Sequence, residues 1–373
     1  MGNALSQPLF PRRETGRALP RILLPFLALL FAVLAMQPAQ SNPKYAAYVW
    51  DTNTGEVLFE RYSDETRFPA SLTKIMTLYM VFEALESGRV TLASPIPVSE
   101  NAAAEVPSKL GMRAGSLITV ENAIRSLVTR SANDMATALG EMLGGTEANF
   151  ARLMTARARQ LGMNDTIFHN AHGLPDERQV TTARDMAVLG YAIREHFPER
   201  YHYFQTREFN FAGQTIGNHN RLLGRVTGVD GIKTGFTRAS GFNLVSSVRL
   251  NGRSIVAVVM GGQTGASRDD HMAELIVEHL PQASPVKSAD LIVERPAFRP
   301  RVAKVHVMPD AMEAPQFRIR DEGPVLVAKP TPPATAATTV DVRTSDTGYA
   351  MPARAAGSSL PGESRVRDAL GRR

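Results

Sequence analysis

The sequence has 373 residues, of which 43% are hydrophobic and 21% charged, so it can bury the core of one large domain or two ordinary ones. It contains no cysteine, which excludes thiol catalysis, disulfides and cysteine-ligated zinc. The formal net charge is +6, but four arginines and one glutamate fall within the first 41 residues; the remainder carries +3 and has no basic stripe with interleaved aromatic residues that would indicate a nucleic-acid partner.

The N-terminus has the features of a secretory signal peptide. Four arginines precede an apolar run over residues 22–36, which is too short to span a bilayer comfortably. Small residues follow, and residues 39–41 form an acceptable cleavage site. We therefore predict a signal peptide over residues 1–41 and export across the cytoplasmic membrane to the periplasm or cell envelope. An uncleaved N-terminal anchor is the alternative.

The next segment is predicted to be a β-hairpin that leads into a long apolar helix. Residues 46–50 and 57–59 read as strands around a turn at 51–55, and Pro69 then ends the extended run. Apolar residues recur at helical spacing from residue 70 to about 85. Ser71 lies in the first turn, and Lys74 lies three residues later on the same face. A lysine can activate a neighbouring hydroxyl if its surroundings depress its pKa.

The Ser-x-x-Lys pattern alone is weak evidence, because it occurs three times. Ser41 and Lys44 lie beside the predicted cleavage site, and the pattern at Ser284 contains a proline. Only Ser71 opens an apolar helix. A solvated lysine one turn after a serine is the alternative interpretation.

The middle of the chain is predicted to be helical, with two polar interruptions. A helix over residues 120–129 stops at a short elbow that contains Ser131 and Asn133, which either projects polar groups inward or caps the next helix. Residues 146–200 read as helical apart from a loop at 168–175. His169 and His172 in this loop could suggest a metal, but no H-E-x-x-H pattern or third ligand stands nearby in the sequence, so no metal is predicted.

Three consecutive strands form the clearest β region. Residues 230–236 lead into a strand over 242–250, a tight turn at 251–252 and a return strand over 253–260. Lys233, Thr234 and Gly235 lie on the first of these strands. Gly235 lets another group approach the backbone closely, and Lys233 adds a fixed positive charge.

The C-terminal part begins with a last helix over about 269–279, where His271, Glu274, Glu278 and His279 are interpreted as a solvated face. Residues 285–328 form a short β-like extension of uncertain fold. Residues 329–373 are rich in Ala, Pro and Thr and are predicted to be disordered.

Four strings, taken together and in this order, resemble the penicillin-recognising serine peptidases, in particular the low-molecular-mass D-alanyl-D-alanine carboxypeptidases. They are Pro69-Ala70-Ser71-Leu72-Thr73-Lys74, Ser131-Ala132-Asn133-Asp134, Asn170-Ala171-His172-Gly173-Leu174 and residues 228–237, GVDGIKTGFT. The resemblance covers roughly residues 45–280 and implies a catalytic domain over 42–284. The implied fold is α/β (α+β) and β-lactamase/transpeptidase-like, with an antiparallel sheet flanked by helices and an all-helical subdomain.

The resemblance also implies a role for each motif. Ser71 would attack the substrate carbonyl with Lys74 as base, Ser131 would relay a proton to the leaving amine, and no cofactor would be needed. The residues expected to bind substrate are Asn133, Lys233, Thr234, Gly235, Phe236 and Arg268. Within this set, the Phe236 N–H would join that of Ser71 in an oxyanion hole. Arg268 would accompany Thr234 at the terminal carboxylate, with Arg238 as its rival.

The implied reaction is removal of the terminal D-Ala from the pentapeptide stem of peptidoglycan, with β-lactams as covalent inhibitors. A D,D-endopeptidase would use the same residues. A serine β-lactamase of class A commonly carries a Glu-x-x-x-Asn loop between the second and third motifs, which this sequence lacks. A non-catalytic wall-binding protein is the third alternative. Relatives often add a second β-sandwich domain and a membrane helix, so peripheral membrane association stays open here.

Overall fold

A five-stranded antiparallel sheet forms the centre of the computed structural model, which describes residues 42–289 and 291. In chain order the strands are β1 Ala46–Asp51, β2 Val57–Arg61, β3 Pro95–Pro97, β4 Leu117–Thr119, β5 Glu208–Phe211, β6 Gln214–Gly217, β7 Val229–Thr237, β8 Gly241–Leu250 and β9 Arg253–Gly262. The order across the sheet is β2-β1-β9-β8-β7, and β3-β4 and β5-β6 form two small hairpins. The predicted hairpins β1-β2 and β8-β9 are confirmed by their register.

Seven α-helices surround the sheet within the described residues. They are α1 Thr73–Glu86, α2 Glu100–Ala104, α3 Val120–Thr129, α4 Asn133–Gly144, α5 Glu147–Gln160, α6 Ala183–His196 and α7 Gly265–His279. Helix α1 follows a single 3-10 turn at Ala70–Leu72, and every residue of α1 except Glu86 is buried. A helix buried all round belongs inside the molecule. Helix α1 therefore lies between the sheet and a helical subdomain, which consists of α2 to α5.

The two faces of the sheet bury different helices, as the period-2 alternation of strand side chains requires. In β9, Val256 and Val258 pack in one cluster with residues of α1 and α6. The intervening Ala257 and Val259 pack in a second cluster with residues of α7. The α+β architecture and antiparallel sheet predicted from the sequence are confirmed.

Two details of the C-terminal helix correct the sequence-based expectation. Helix α7 begins at Gly265, about four residues earlier than predicted, because Thr264 caps it in a reciprocal arrangement with Ser267. Arg268 therefore lies in the first turn of α7. The prediction of a solvated face is wrong for His279, which is buried against Phe59.

The helical segment predicted over 146–200 also contains more loop than expected. Helix α5 ends at Gln160 and α6 starts only at Ala183, so the loop spans 161–182 rather than 168–175. One isolated bridge, Arg67 with Thr181, ties this loop to the segment before α1, and another, Ile167 with Val180, joins two parts of the loop itself. The loop is therefore fixed in place although it is not helical.

Residues beyond 284 contact the turn between β1 and β2. The Asn53 carbonyl accepts hydrogen bonds from the N–H groups of Ser288 and Ala289, at 2.9 and 3.1 Å. Leu291 packs against the core beside Gly55. The signal peptide over 1–41, the rest of the extension to 328 and the tail over 329–373 lie outside the described residues and stay predictions. Across the described ranges, no helix combines the length and apolarity needed to cross a membrane.

These contacts predict that residues 285–291 stabilise the folded domain that precedes them. A chain of residues 42–284 loses two backbone hydrogen bonds, at about 1 kcal/mol each, and the packing of one leucine. Urea unfolding should give it a free energy of unfolding roughly 2–3 kcal/mol below that of residues 42–291. Equal free energies for the two chains would contradict this prediction and restore the boundary at 284.

Candidate active site

Ser71 lies in a backbone turn that two glycines make room for. A Cβ on Gly173 would lie 1.9 Å from the Ala70 carbonyl oxygen, and a Cβ on Gly235 would lie 3.1 Å from the Ser71 nitrogen. Ala70 itself has φ +48°, which is uncommon for a residue with a side chain. Strained backbone of this kind persists where neighbouring structure holds it in place. The loop at 173 and strand β7 thus fix the turn from two sides.

The Lys74 amine is fully buried beside the Ser71 hydroxyl. Its Nζ lies 3.1 Å from Ser71 Oγ, 2.8 Å from Asn133 Oδ1 and 2.6 Å from the His172 carbonyl oxygen. The last two oxygens can only accept hydrogen bonds. A neutral amine has two hydrogens, which these oxygens satisfy. Its lone pair is then left to accept the hydrogen of the Ser71 hydroxyl.

The surroundings of Lys74 favour this neutral form. Burial is the largest influence and lowers the pKa of Lys74 well below its ordinary value. The positive charge of Lys233 lowers the pKa further, while Glu105 and Asp134 partly offset the shift. Among the residues that the structure describes, no carboxylate forms an ion pair with Lys74.

The predicted elbow brings Ser131 and Asn133 to the same point. Ser131 has φ +60°, and its buried hydroxyl has no hydrogen-bond partner within the described part of the chain. Asn133 opens α4; its Nδ2 donates to the Val106 carbonyl at 2.8 Å, while its Oδ1 accepts from Lys74. One Nδ2 hydrogen is therefore free for another acceptor.

Strand β7 contributes its exposed edge and a second buried lysine. Lys233 is 1% exposed and donates to the Thr234 carbonyl at 2.8 Å. Burial, followed by the charge of Arg268, lowers the pKa of Lys233 to about 7. Lys233 therefore gives up its proton more readily than a solvent-exposed lysine does. Phe236 is 51% exposed and stacks on Phe242 with ring centroids 4.2 Å apart.

The structure distinguishes between the two arginines left open by the sequence. Arg268 lines the cavity in front of Ser71, where its Nε donates to Asp269 at 2.8 Å and its Nη1 to the Asn243 carbonyl at 2.5 Å. Arg238 is exposed and is absent from the cavity wall. Of these two arginines, it is therefore Arg268 that a ligand in the cavity can reach.

The cavity has a volume of about 620 Å³ and holds residues that the sequence did not single out. His219 and Arg221, from the loop between β6 and β7, form part of its wall. Partial desolvation at the cavity wall, followed by the charge of Lys233, lowers the pKa of His219 to about 4 although the residue is exposed, which favours the neutral ring at pH 7. Arg221 is exposed, and its charge is felt by Arg268. The cavity is therefore electropositive and suits an anionic ligand.

A polar run directly after β6, Asn218-His219-Asn220-Arg221, was the only available signal for these residues. A polar run without periodicity is typical of an ordinary loop. Whether such a loop lies in the cavity wall depends on tertiary packing, which the local sequence pattern does not predict.

His172 meets two glutamates that are distant in sequence. Its Nε2 lies 3.2 Å from the nearest carboxylate oxygen of both Glu105 and Glu147. Together these three residues could present metal ligands. The Leu174 N–H, however, donates to His172 Nδ1 at 3.0 Å. A metal on Nε2 would require a proton on Nδ1, where this N–H already points, so the arrangement favours a hydrogen on Nε2 instead.

Comparisons with known proteins agree on one family. The family described as D-alanyl-D-alanine carboxypeptidase matches residues 34–264. The chain is 35% identical over 259 residues to the D-alanyl-D-alanine carboxypeptidase DacC of Escherichia coli K12, a match that covers 66% of this chain and 65% of that relative's length.

Solved structures give the same result. The D-alanyl-D-alanine carboxypeptidase DacD of Francisella tularensis is 33% identical with a TM-score of 0.60, covering 62% of this chain and 69% of that one. Penicillin-binding protein D2 of Listeria monocytogenes, in its cefotaxime-bound form, is 28% identical with a TM-score of 0.57, covering 63% and 96%.

The packing around Ser71 predicts that Gly173→Ala is severely destabilising. Gly173 has φ +90°, and the new methyl group would overlap the Ala70 backbone. Gly115→Ala is a matched control, since Gly115 has φ +79° with nothing within 4 Å of the added Cβ. We expect losses of unfolding free energy of roughly 3 kcal/mol or more for Gly173→Ala and about 1 kcal/mol for the control, by urea unfolding. Equal losses would show that the turn can move away from the loop.

Proposed function

The chain belongs to the D-alanyl-D-alanine carboxypeptidase family, and from this premise we propose that it removes the terminal D-Ala of peptidoglycan stem peptides through an acyl-enzyme on Ser71. The observation that carries the proposal is the buried amine of Lys74 beside the Ser71 hydroxyl. A serine needs an adjacent base to become a nucleophile, and a neutral lysine provides one. The stem peptide ends in a free carboxylate, and this negative charge suits the electropositive cavity.

Acylation begins with proton transfer from Ser71 to Lys74. The Ser71 oxygen attacks the carbonyl carbon of the penultimate D-Ala, and the negative charge on the carbonyl oxygen is stabilised by the N–H groups of Ser71 and Phe236. The close approach of Gly235 to the Ser71 turn supports this pairing, because it brings the edge of β7 to the nucleophile. Ser71 also lies ahead of α1, where the helix dipole favours negative charge.

Ser131 delivers a proton to the departing amine. Its hydroxyl is buried, lines the cavity and lacks a protein partner among the described residues, so it is available to the substrate. The proton gained by Lys74 replaces the one that Ser131 gives up, so one proton in total reaches the leaving nitrogen and free D-Ala departs. Water then attacks the ester carbonyl with Lys74 again as base, which releases the shortened peptide and restores Ser71. Every step is an acyl or proton transfer, so no cofactor is needed.

Two groups of residues hold the substrate. Asn133 offers its free Nδ2 hydrogen to the carbonyl oxygen of a substrate peptide bond, and the edge strand β7 lines the same cavity. Lys233, Thr234 and Arg268 form the binding site for the terminal carboxylate. Arg221 stands on the same cavity wall and adds positive charge there.

The cellular setting follows from the substrate. Peptidoglycan lies outside the cytoplasmic membrane, so the protein would act in the periplasm or cell envelope. The same residues could hydrolyse a D,D cross-link, which would make the protein an endopeptidase. Incubation with purified muropeptides separates the two activities, because only the carboxypeptidase converts pentapeptides to tetrapeptides and free D-Ala.

The proposal predicts that a penicillin forms a long-lived adduct on Ser71. The ring-opened amine stays tethered in the cavity and obstructs the deacylating water. Intact-mass spectrometry should show one added penicillin per chain, and peptide mapping should locate it on Ser71. Ser71→Ala should abolish the adduct. Ser284→Ala, in the Ser-x-x-Lys pattern outside the cavity, should retain it. An adduct on another residue, or rapid penicillin turnover, would contradict the proposal.

A second prediction concerns the carboxylate site. Arg268→Gln should lower kcat/KM on a peptide with a free C-terminal carboxylate by roughly 100-fold, since a charge-assisted hydrogen bond contributes about 2–3 kcal/mol. Acylation by an uncharged thioester should change by less than about threefold. Arg238→Gln is the control and should leave both rates near wild type. Equal losses on both substrates in Arg268→Gln would mean that Arg268 supports the fold rather than the carboxylate.

A further inference from the structure

A hydrogen-bonded cluster of Glu105, Glu147 and His172, which we call the carboxylate clamp, lies directly behind the Lys74 amine. Glu105 follows α2, Glu147 opens α5 and His172 lies in the loop before α6, so three separate elements meet here. His172 is 5% exposed and both glutamates are partly buried. The Thr137 hydroxyl donates to Glu105 at 3.0 Å. None of these side chains lines the cavity, so the clamp lies outside the substrate site.

The loop that carries His172 contacts both reacting groups through its backbone. The His172 carbonyl accepts the 2.6 Å hydrogen bond from Lys74 Nζ. One residue earlier, the Ala171 carbonyl accepts from the Thr77 hydroxyl at 2.6 Å, one turn further along α1. One residue later, Gly173 packs on the turn that holds Ser71. A shift of this loop would therefore move the acceptor that orients the lysine amine.

The clamp is what holds this loop from its other side. The Glu147 carboxylate accepts from the Ala171 N–H at 3.0 Å and faces His172 Nε2 at 3.2 Å. Glu105 faces the same nitrogen at 3.2 Å. Burial lowers the pKa of His172, but the two carboxylates together outweigh burial and raise this pKa above its ordinary value. The Leu174 N–H opposes a second proton at Nδ1. In either state Nε2 keeps the hydrogen that both carboxylates accept.

We propose that Glu105 and Glu147 are positioning residues that hold Lys74 in place as the base for Ser71, acting through His172 and its backbone carbonyl. This inference rests on the proposed function, in which Lys74 is that base. Glu147 anchors the loop by two hydrogen bonds. Glu105 adds a negative charge near the buried amine as well as an anchor.

The charge of Glu105 has a measurable consequence. Charged and titratable groups face Lys74 from every side: Lys233 on β7, Asp134 on α4, Glu105 after α2, and His172 and His219 from loops. Glu105 and Asp134 favour protonated Lys74, and Lys233 disfavours it. Removing the charge of Glu105 should therefore lower the pKa of Lys74. The pH range over which the acylation rate of Ser71 increases would then lie at lower pH than in the wild-type protein.

The test measures the second-order rate constant for Ser71 acylation by a penicillin, by mass spectrometry of the whole chain, from about pH 5 to 10. Glu105→Gln should move the rising limb to lower pH by roughly half a unit to one unit. Glu100→Gln is the matched control, because Glu100 is an exposed residue at the start of α2 with the same charge. Its profile should coincide with that of wild type.

Glu147 variants test the anchoring separately. Glu147→Ala should lower the acylation rate constant roughly tenfold at every pH, because it removes the acceptor of two hydrogen bonds. The rising part of the pH profile should stay at the same pH. Glu147→Gln should stay within about threefold of wild type, because its amide oxygen can accept the same hydrogens. Rescue by glutamine would exclude a general loss of folding.

If the wild-type protein is acylated on Ser71, the proposed function stands, and either of two outcomes would then contradict the positioning role of the glutamates. These are a Glu105→Gln profile identical to that of Glu100→Gln, and a Glu147→Ala chain that acylates at the wild-type rate. Absence of any wild-type adduct would overturn the proposed function, and this inference with it.

Discussion

A buried lysine amine, whose hydrogen-bond partners among the described residues are a serine hydroxyl, an amide oxygen and a backbone carbonyl, is the feature on which the rest of the site depends. Burying a lysine is costly in its charged form, so the structure stabilises the neutral one. Each partner of Lys74 comes from a different part of the chain: the turn before α1, the elbow at Ser131–Asn133, and the loop at His172. The fold therefore has to be complete before these three contacts to the amine can form.

The sheet supplies the opposite wall, and two glycines determine how closely the walls approach. Gly235 lets the edge of β7 come up to the Ser71 turn, and Gly173 lets the loop pack on the same turn from the other side. A second buried lysine on β7, Lys233, then lies close enough to depress the pKa of Lys74. The electrostatics of the site thus follow from backbone contacts that larger residues would prevent.

The sequence predicted those features that local pattern controls. Apolar periodicity identified α1 and α3, alternation and turn residues identified β7 to β9, and the motif strings identified Ser71, Lys74, Ser131, Asn133 and Lys233. Features that depend on long-range packing were not predictable. Glu105 and Glu147 reach His172 only after the helical subdomain folds, and His219 and Arg221 reach the cavity only through a loop. The start of α7 was missed because its Thr264 cap was not recognised, and the lowered pKa of Lys233 follows from its burial.

The protonation state of the lysines is the most direct test of this account. The chain has seven lysines, so lysine labelled with 13C at Cε gives a spectrum in which each amine can be titrated. Two signals should titrate well below the ordinary value of about 10.4, with that of Lys233 near 7, and Lys74→Ala should remove the other. Seven signals that all titrate near the ordinary value would contradict a neutral Lys74 and the proposed base with it.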